Sequence, residues 1–283
     1  MAERIFKSMG GEIYLFIKAR QEDQEETMLS FLEQEISSLV KIFDFFDEGS
    51  LLSKLNRERT VAFQKDLAFV LKKGAAFKKI SKGKFDIFLG EHSIARKSNE
   101  RSGQKGEGKS GVIINKTGIS LEGKELVDLG GIAKGYIIDE ALRRAREKFS
   151  DGLIDALIDA RGDIVCYGKD KKLIEVENPF DESISFSTVA LKEGAIITSG
   201  HNKQVFKEGS HIIGEESDIL TISLVSKSKE CYELDALGTY LLQLPSQEVM
   251  EKVEFGSRYK DIEALIILKE GDVLRTSFWE SFQ

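Results

Sequence analysis

The chain has 283 residues, of which 41% are hydrophobic and 31% are charged, and its 48 Asp and Glu outnumber its 41 Lys and Arg to give a net charge of −7. This balance excludes a disordered or fibrous chain, and the acidic excess argues against a nucleic-acid or anionic-membrane binder. No apolar run approaches the roughly 18 residues needed to span a bilayer, and no signal-peptide pattern is visible. We therefore expect a cytoplasmic protein, or an extracytoplasmic one that has lost a leader.

The spacing of apolar residues predicts helices and strands in mixed order. In chain order we predict a strand at 12–18, helices at 22–46 and 65–80, strands at 112–114 and 119–121, a helix that follows Gly131 and ends near Lys148, strands at 156–167, 172–177, 186–191, 196–198 and 219–225, a helix at 234–244 that Pro245 stops, and a strand at 264–268. Regular βαβ alternation is missing from this order, so the predicted fold class is α+β.

One polar stretch interrupts these elements. Residues 91–111 are rich in Gly, Ser, Lys and Arg, which is typical of a loop. We interpret this stretch as an excursion within a single domain that spans residues 1–283.

A Gly-Gly turn ahead of a helix is the most informative segment. Residues 127–139 read VDLGGIAKGYIID, and they match neither a Walker A loop nor a Gly-x-Gly-x-x-Gly fingerprint. A strand end, two glycines and a helix start present free backbone N–H groups to an anion, and Lys134 adds positive charge. By itself the pattern favours a structural turn, with an anion site as the alternative.

A carboxylate and a hydroxyl lie four residues apart in a second segment. Asp235 and Thr239 share one face of a helix at this spacing. Such hard oxygen ligands suit Mg²⁺, which completes its shell with phosphate and water. The competing interpretation, a capping Asp with a solvent-facing Thr, is commoner for this pattern in isolation.

Several weaker signals complete the set. The chain has three histidines, so an imidazole general base must be His92, His201 or His211. Residues 159–163 predict a tight turn between strands, and Lys84-Phe85-Asp86 follows a glycine.

Taken in order, these segments resemble the ApbE family, the FAD:protein FMN transferases. The segments are Asp-Leu-Gly-Gly-Ile-Ala-Lys-Gly-Tyr at 128–136, Arg-Gly-Asp-Ile at 161–164, Thr-Ser-Gly at 198–200, Ser-His-Ile-Ile at 210–213 and Asp-Ala-Leu-Gly-Thr at 235–239. In the front half, Met9-Gly10-Gly11 resembles the family's Met-Gly-Thr, residues 50–56 resemble Ser-x-x-Ser-x-Leu-Asn, and residues 84–86 resemble Ala-Phe-Asp. The resemblance covers roughly residues 5–268.

The resemblance implies one domain of mixed, largely antiparallel sheets flanked by helices. It also implies an Mg²⁺-dependent enzyme that cleaves FAD, attaches FMN through a phosphoester to a threonine of an acceptor protein, and releases AMP. Two alternatives to the transferase remain open. The first is an FAD pyrophosphatase that yields FMN and AMP, and the second is a non-catalytic paralogue that binds FAD.

The resemblance also assigns the site residues. Asp235 and Thr239 would hold the metal together with the backbone carbonyl of Ala133, and His211 and Asp235 would be the catalytic residues, His211 as a general base or a substrate-orienting group. The FAD site would be lined by Met9, Lys84, Phe85, Asp86, Gly130, Lys134, Tyr136 and Ile213.

Some segments depart from the family pattern. Arg161 stands where the family's Gly-Gly-Asp turn has its first glycine, and Phe85-Asp86 continues with Ile87-Phe88 rather than Pro-Thr. The segment after His211 is shorter than in relatives and reads Gly-Glu-Glu-Ser-Asp. Because the metal pair and the Gly-Gly-Ile-Ala-Lys-Gly core are kept, the sequence favours FAD and Mg²⁺ binding over protein flavinylation.

Overall fold

The computed structural model describes residues 1–98, 110–181, 183–200 and 217–283, with the Arg96 side chain left out. In chain order the elements are β1 (Ala2–Ser8), β2 (Gly11–Ala19), α1 (Glu25–Phe43), α2 (Leu51–Glu58), β3 (Thr60–Ala62), α3 (Lys65–Ile80), α4 (Gly90–Lys97), β4 (Gly111–Ile114), β5 (Gly118–Glu122), α5 (Ala133–Phe149), β6 (Leu153–Ala160), β7 (Asp163–Gly168), β8 (Lys172–Glu177), β9 (Ser185–Leu191), β10 (Gly194–Gly200), β11 (Ile219–Ser226), α6 (Cys231–Leu241), α7 (Ser246–Phe255), β12 (Glu263–Leu268) and β13 (Val273–Arg275).

A large antiparallel sheet organises the chain. Its strand order is β1-β2-β6-β7-β10-β11-β12-β13, and every neighbouring pair is antiparallel. Two smaller antiparallel sheets have the orders β3-β5-β4 and β8-β9. The mixture of helices with antiparallel sheets confirms the predicted α+β class. None of the helices in the described ranges is long and apolar enough to span a bilayer.

Alternating side chains put a core on each face of this sheet. In β10, Ala195 and Ile197 join the larger core with residues of the helices, whereas Ile196 joins a smaller core. Successive strand residues point to opposite faces, so an uninterrupted apolar run is what a doubly covered strand requires. The smaller core is closed by β8, β9 and the C-terminal Trp279, which is fully buried.

Two hairpin turns lie at the same end of the large sheet. Met9-Gly10 connects β1 to β2, Arg161-Gly162 connects β6 to β7, and all four residues have positive φ angles. Turns of this kind match the twist of antiparallel strands. Because β2 and β6 are antiparallel neighbours, the two tips are adjacent. The tight turn predicted within 159–163 is therefore confirmed, and it divides the predicted strand 156–167 into β6 and β7.

Other predicted bounds need correction. Helix α4 occupies part of the stretch 91–111 that we predicted as a loop, and the ammonium group of Lys97 lies 3.9 Å from the ring centroid of Phe46. The predicted helix 234–244 begins earlier, at Cys231, and ends at Leu241 before Pro245. Strand β1 and helices α2 and α7 were not predicted. The Ser50 side chain, which accepts the Ser53 N–H, is the local signal that marks the start of α2.

Candidate active site

The Gly-Gly turn is held in place by a buried asparagine. Asn56 on α2 donates to the carbonyl of Val127 (2.7 Å) and accepts the N–H of the same residue (2.8 Å). The carboxylate of the next residue, Asp128, accepts the N–H of Gly130 (2.9 Å). These contacts fix the backbone that enters α5, and they give the Asn of the segment 50–56 a structural role.

A glycine allows α5 and α6 to cross in close contact. A Cβ on Gly135 would lie 2.7 Å from the backbone N and Cα of Tyr232, a distance that real Cβ atoms essentially never show. A larger residue would therefore push the helices apart. This crossing explains why glycine follows Lys134 in the motif of residues 128–136.

The Asp139 side chain on α5 caps the N-terminus of α6. Its carboxylate accepts the backbone N–H groups of Cys231 (3.1 Å) and Tyr232 (2.9 Å). The first N–H groups of a helix lack partners within the helix, so this carboxylate replaces a cap from the helix's own sequence. Asp139 thereby fixes the register between α5 and α6.

The same crossing buries Asp235 against the first turn of α5. Only 6% of Asp235 is exposed, and its carboxylate accepts one long hydrogen bond, from the N–H of Gly135 at 3.4 Å. Burial and the nearby Asp163 carboxylate raise the Asp235 pKa to about 8, although Lys134 and the Gly135 N–H oppose the shift. A buried carboxylate with so little compensation favours a bound cation.

Lys134 supplies a positive charge beside these acids. Its ammonium group lies 3.1 Å from the Asp163 carboxylate at the start of β7. Burial opposes protonation, but the carboxylates of Asp163 and Asp235 outweigh it and raise the Lys134 pKa. Lys134 is therefore a cation that Asp163 holds in the wall of the site.

Close contacts also place Thr239 at the Gly-Gly turn. A Cβ on Gly131 would lie 3.2 Å from both the Thr239 hydroxyl and the Phe85 ring. On the other side of α6, a Cβ on Gly238 would lie 2.6 Å from Ile197 and 2.7 Å from the Ser199 hydroxyl of β10. Small residues thus bring α6 close to both the turn and the sheet.

These elements enclose a cavity of about 740 Å³, which we call the α5–α6 cavity. A volume of this size is within the range of small-molecule and cofactor sites. Its lining residues include Met9, Asp44, Phe46, Lys84, Phe85, Asp86, Lys97, Gly130, Ala133, Lys134, Arg161, Asp163, Ser199, Asp235 and Thr239.

The cavity brings together most of the site residues that the sequence predicts. From that set, Met9, Lys84, Phe85, Asp86, Gly130, Ala133, Lys134, Asp235 and Thr239 line it. The predicted residues His211 and Ile213 lie outside the described residues. In the described part of the chain, no group of three or more His, Cys, Asp or Glu side chains is placed to hold a metal ion.

Tyr136 is absent from the lining of the α5–α6 cavity. Its hydroxyl donates to the carboxylate of Asp66 (2.7 Å), and its ring lies 5.7 Å from that of Phe43 and 5.2 Å from that of Phe69. Burial and the hydrogen bond to Asp66 raise the Tyr136 pKa. In this structure the Tyr136 hydroxyl is directed to Asp66, and its assignment to the flavin site stays a prediction.

Sequence reasoning missed part of the cavity. Asp44 and Phe46 come from the segment after α1, and Lys97 comes from α4, which we predicted as a loop. These residues carry no motif, so only their packing places them here. Asp163, by contrast, lay in the predicted turn without an assigned role.

A cavity of this volume, with the buried carboxylate of Asp235 and the ammonium group of Lys134 at a helix crossing, has the size and polar lining of a small-molecule site. The family model that describes the ApbE family matches residues 9–266. Because this match covers most of the chain, the chain belongs to the ApbE family.

Solved structures show the same fold. The ApbE protein from Thermotoga maritima is 21% identical, has a TM-score of 0.82, and the match covers 99% of this chain and 98% of that one. The flavin transferase ApbE from Vibrio cholerae is 17% identical with a TM-score of 0.75, over 100% and 99% of the two chains. The flavinyl transferase ApbE from Pseudomonas stutzeri, in its apo form, is 16% identical with a TM-score of 0.76, over 99% and 97%. No curated protein matches the chain.

Proposed function

We propose that this chain is an Mg²⁺-dependent FAD:protein FMN transferase that works in the α5–α6 cavity. One observation carries the proposal: the buried, weakly compensated carboxylate of Asp235 lies against the start of α5 in the same cavity wall as Lys134 and Thr239. Two structural relatives with flavin or flavinyl transferase in their names, from Vibrio cholerae and Pseudomonas stutzeri, support the substrate class.

The reaction requires positioning and charge neutralisation more than covalent catalysis. The threonine oxygen of the acceptor attacks the phosphorus of the FMN half, the bond from that phosphorus to the bridging oxygen breaks, and AMP leaves with the bridging oxygen. One phosphoester forms as one diphosphate linkage breaks, and the threonine proton passes to a base.

The residues present fit a magnesium ion. Asp235 would supply the charged ligand, Thr239 a hydroxyl, and Ala133 a backbone carbonyl, and all three line the cavity. Bound Mg²⁺ would polarise the phosphorus and offset the charge of the leaving AMP. His211 remains the predicted general base.

Lys134 and the Gly-Gly turn would bind the diphosphate of FAD. The Lys134 ammonium group is held by Asp163 at 3.1 Å, so its position is fixed before substrate arrives. The start of α5 adds the positive end of the helix dipole. Phe85, which is 4% exposed and lines the cavity, would exclude water from this side.

The test is to incubate the purified chain with FAD, Mg²⁺ and an acceptor protein that contains a flavinylation threonine. We expect AMP by chromatography and an acceptor mass increased by one FMN unit. An acceptor with that threonine changed to alanine is the control and should remain unlabelled. AMP without labelled acceptor would replace the transferase with an FAD pyrophosphatase. Thermal protection by FAD without AMP would leave a flavin-binding paralogue.

A further inference from the structure

Gly11 and Arg161 lie against each other where the two hairpin tips meet. A Cβ on Gly11 would lie 2.4 Å from Cδ and 2.7 Å from Nε of Arg161. The stem of the arginine therefore occupies the space that any other residue at position 11 would need. Both positions differ from the family motifs that the chain resembles, which have threonine and glycine there.

The Arg161 side chain lines the cavity, and the hydrogen bonds that it makes to described residues go to uncharged carbonyls. It donates to the carbonyls of Gly10 (3.2 Å) and Met9 (3.4 Å), and it is exposed. Within the described residues no carboxylate lies within ion-pair distance of Arg161, whereas the neighbouring cation Lys134 has Asp163 at 3.1 Å. Two long bonds to uncharged carbonyls are readily exchanged for bonds to an anion.

The turn itself does not call for arginine. Arg161 has a φ of 61°, in the left-handed region that Gly, Asn and Asp adopt most easily in such hairpins. The conformation of the turn therefore does not explain an arginine at this position.

The cavity supplies a reason for an added cation. Its lining aspartates are Asp44, Asp86, Asp128, Asp163 and Asp235. The lining also carries the cations Lys84, Lys97, Lys134 and Arg161, and a dinucleotide with two phosphates would bind where these cations face it. The planar guanidinium of Arg161 offers two parallel donors to a phosphate group, and its side chain already lines the cavity.

Resting on the function proposed above, we propose that Arg161 is a specificity-determining residue that leaves the carbonyls of Met9 and Gly10 to bind a phosphate of the dinucleotide substrate. Because Gly11 has no side chain, it leaves the space in which the Arg161 side chain lies before the substrate arrives.

The test compares the dissociation constants of two probes by calorimetry, for the wild type, Arg161→Gln and Arg161→Lys. FAD in the presence of EDTA reports phosphate-dependent binding without cleavage, and riboflavin has the same ring system without a phosphate. We expect Arg161→Gln to weaken FAD binding by about 10-fold or more, the range of a hydrogen bond to a charged group, and to leave riboflavin unchanged. Arg161→Lys should retain part of the FAD affinity.

A matched pair separates this role from a structural one. Gly11→Thr and Arg161→Gln should both weaken FAD binding and leave the melting temperature near that of the wild type, because the atoms that a Cβ at position 11 would meet belong to the flexible end of an exposed side chain. Equal FAD binding by wild type and Arg161→Gln would overturn the proposal, as would an equal loss of riboflavin binding or a loss confined to acceptor labelling. Failure of the wild type to bind FAD both in EDTA and in the presence of Mg²⁺ would instead refute the proposed function.

Discussion

The carboxylate of Asp235 on α6 accepts the backbone N–H of Gly135 on α5, and this contact joins the two segments that the sequence shows as separate motifs. The contact exists because Gly135 has no side chain to keep α6 away. The metal-ligand pair and the Gly-Gly turn thus form one structural unit at a helix crossing.

Asp235→Asn should stabilise the ligand-free protein or leave it unchanged. The buried carboxylate has a raised pKa, so ionising it is easier in the unfolded chain, and its charge destabilises the fold as pH rises from about 4 toward 8. The amide removes this cost. Urea unfolding at pH 8 in EDTA measures the effect, and a clear loss of stability would contradict our view that Asp235 is undercompensated.

Gly135→Ala should lower the free energy of unfolding by about 1–3 kcal/mol, although alanine favours helix by about 1 kcal/mol. The added methyl group meets the backbone of Tyr232 rather than a movable side chain. Gly152→Ala is the matched control, because its Cβ would have ordinary contacts of 3.4 Å to Gln24 and 3.5 Å to Met28. Equal effects of the two changes in urea unfolding would refute the close crossing.

Asp139→Ala should lower the free energy of unfolding by about 1–3 kcal/mol, because it leaves the N–H groups of Cys231 and Tyr232 without their acceptor in a buried site. Asp139→Asn keeps one acceptor oxygen, so its free energy of unfolding should lie between those of the alanine variant and the wild type. Hydrogen exchange of the first turn of α6, measured by NMR, should accelerate in the alanine variant. Unchanged exchange there would show that the cap is not needed.

Tyr136→Phe should leave FAD affinity unchanged, because Tyr136 is not among the residues that line the cavity. The variant should lose about 1 kcal/mol of unfolding free energy, because the hydrogen bond from Tyr136 to Asp66 is removed. Fluorescence titration with FAD and urea unfolding measure the two effects. A several-fold loss of FAD affinity at unchanged stability would restore the role that the family resemblance assigns to Tyr136.

Much of the fold follows from local patterns. The uninterrupted apolar run in β10 and the helical spacing of apolar residues in α1 are visible in the sequence. The start of α6 is not visible, since its cap is Asp139, 92 positions away from Cys231. Helix α4 was missed because its eight residues are mostly polar. Its Lys97 packs over the ring of Phe46, a contact that the sequence does not show.

The candidate site divides in the same way. Gly130, Lys134, Asp235 and Thr239 were found because they belong to motifs with fixed spacing. Tyr136 belongs to the same motif, yet helical geometry turns it to the opposite side, toward Asp66. Gly11 and Arg161 are 150 positions apart in the sequence and lie in two different hairpins. They meet because β2 and β6 are neighbours in the large sheet.

AMP release from FAD as a function of Mg²⁺ concentration, compared between the wild type and Asp235→Asn, tests the proposed function most directly. We predict Mg²⁺-dependent release by the wild type and a rate at least about 100-fold lower for the variant at every Mg²⁺ concentration, since a metal at developing charge contributes several kcal/mol. Circular dichroism should show the same fold for both proteins. Release of AMP by Asp235→Asn at the wild-type rate would contradict the assignment of Asp235 to the metal.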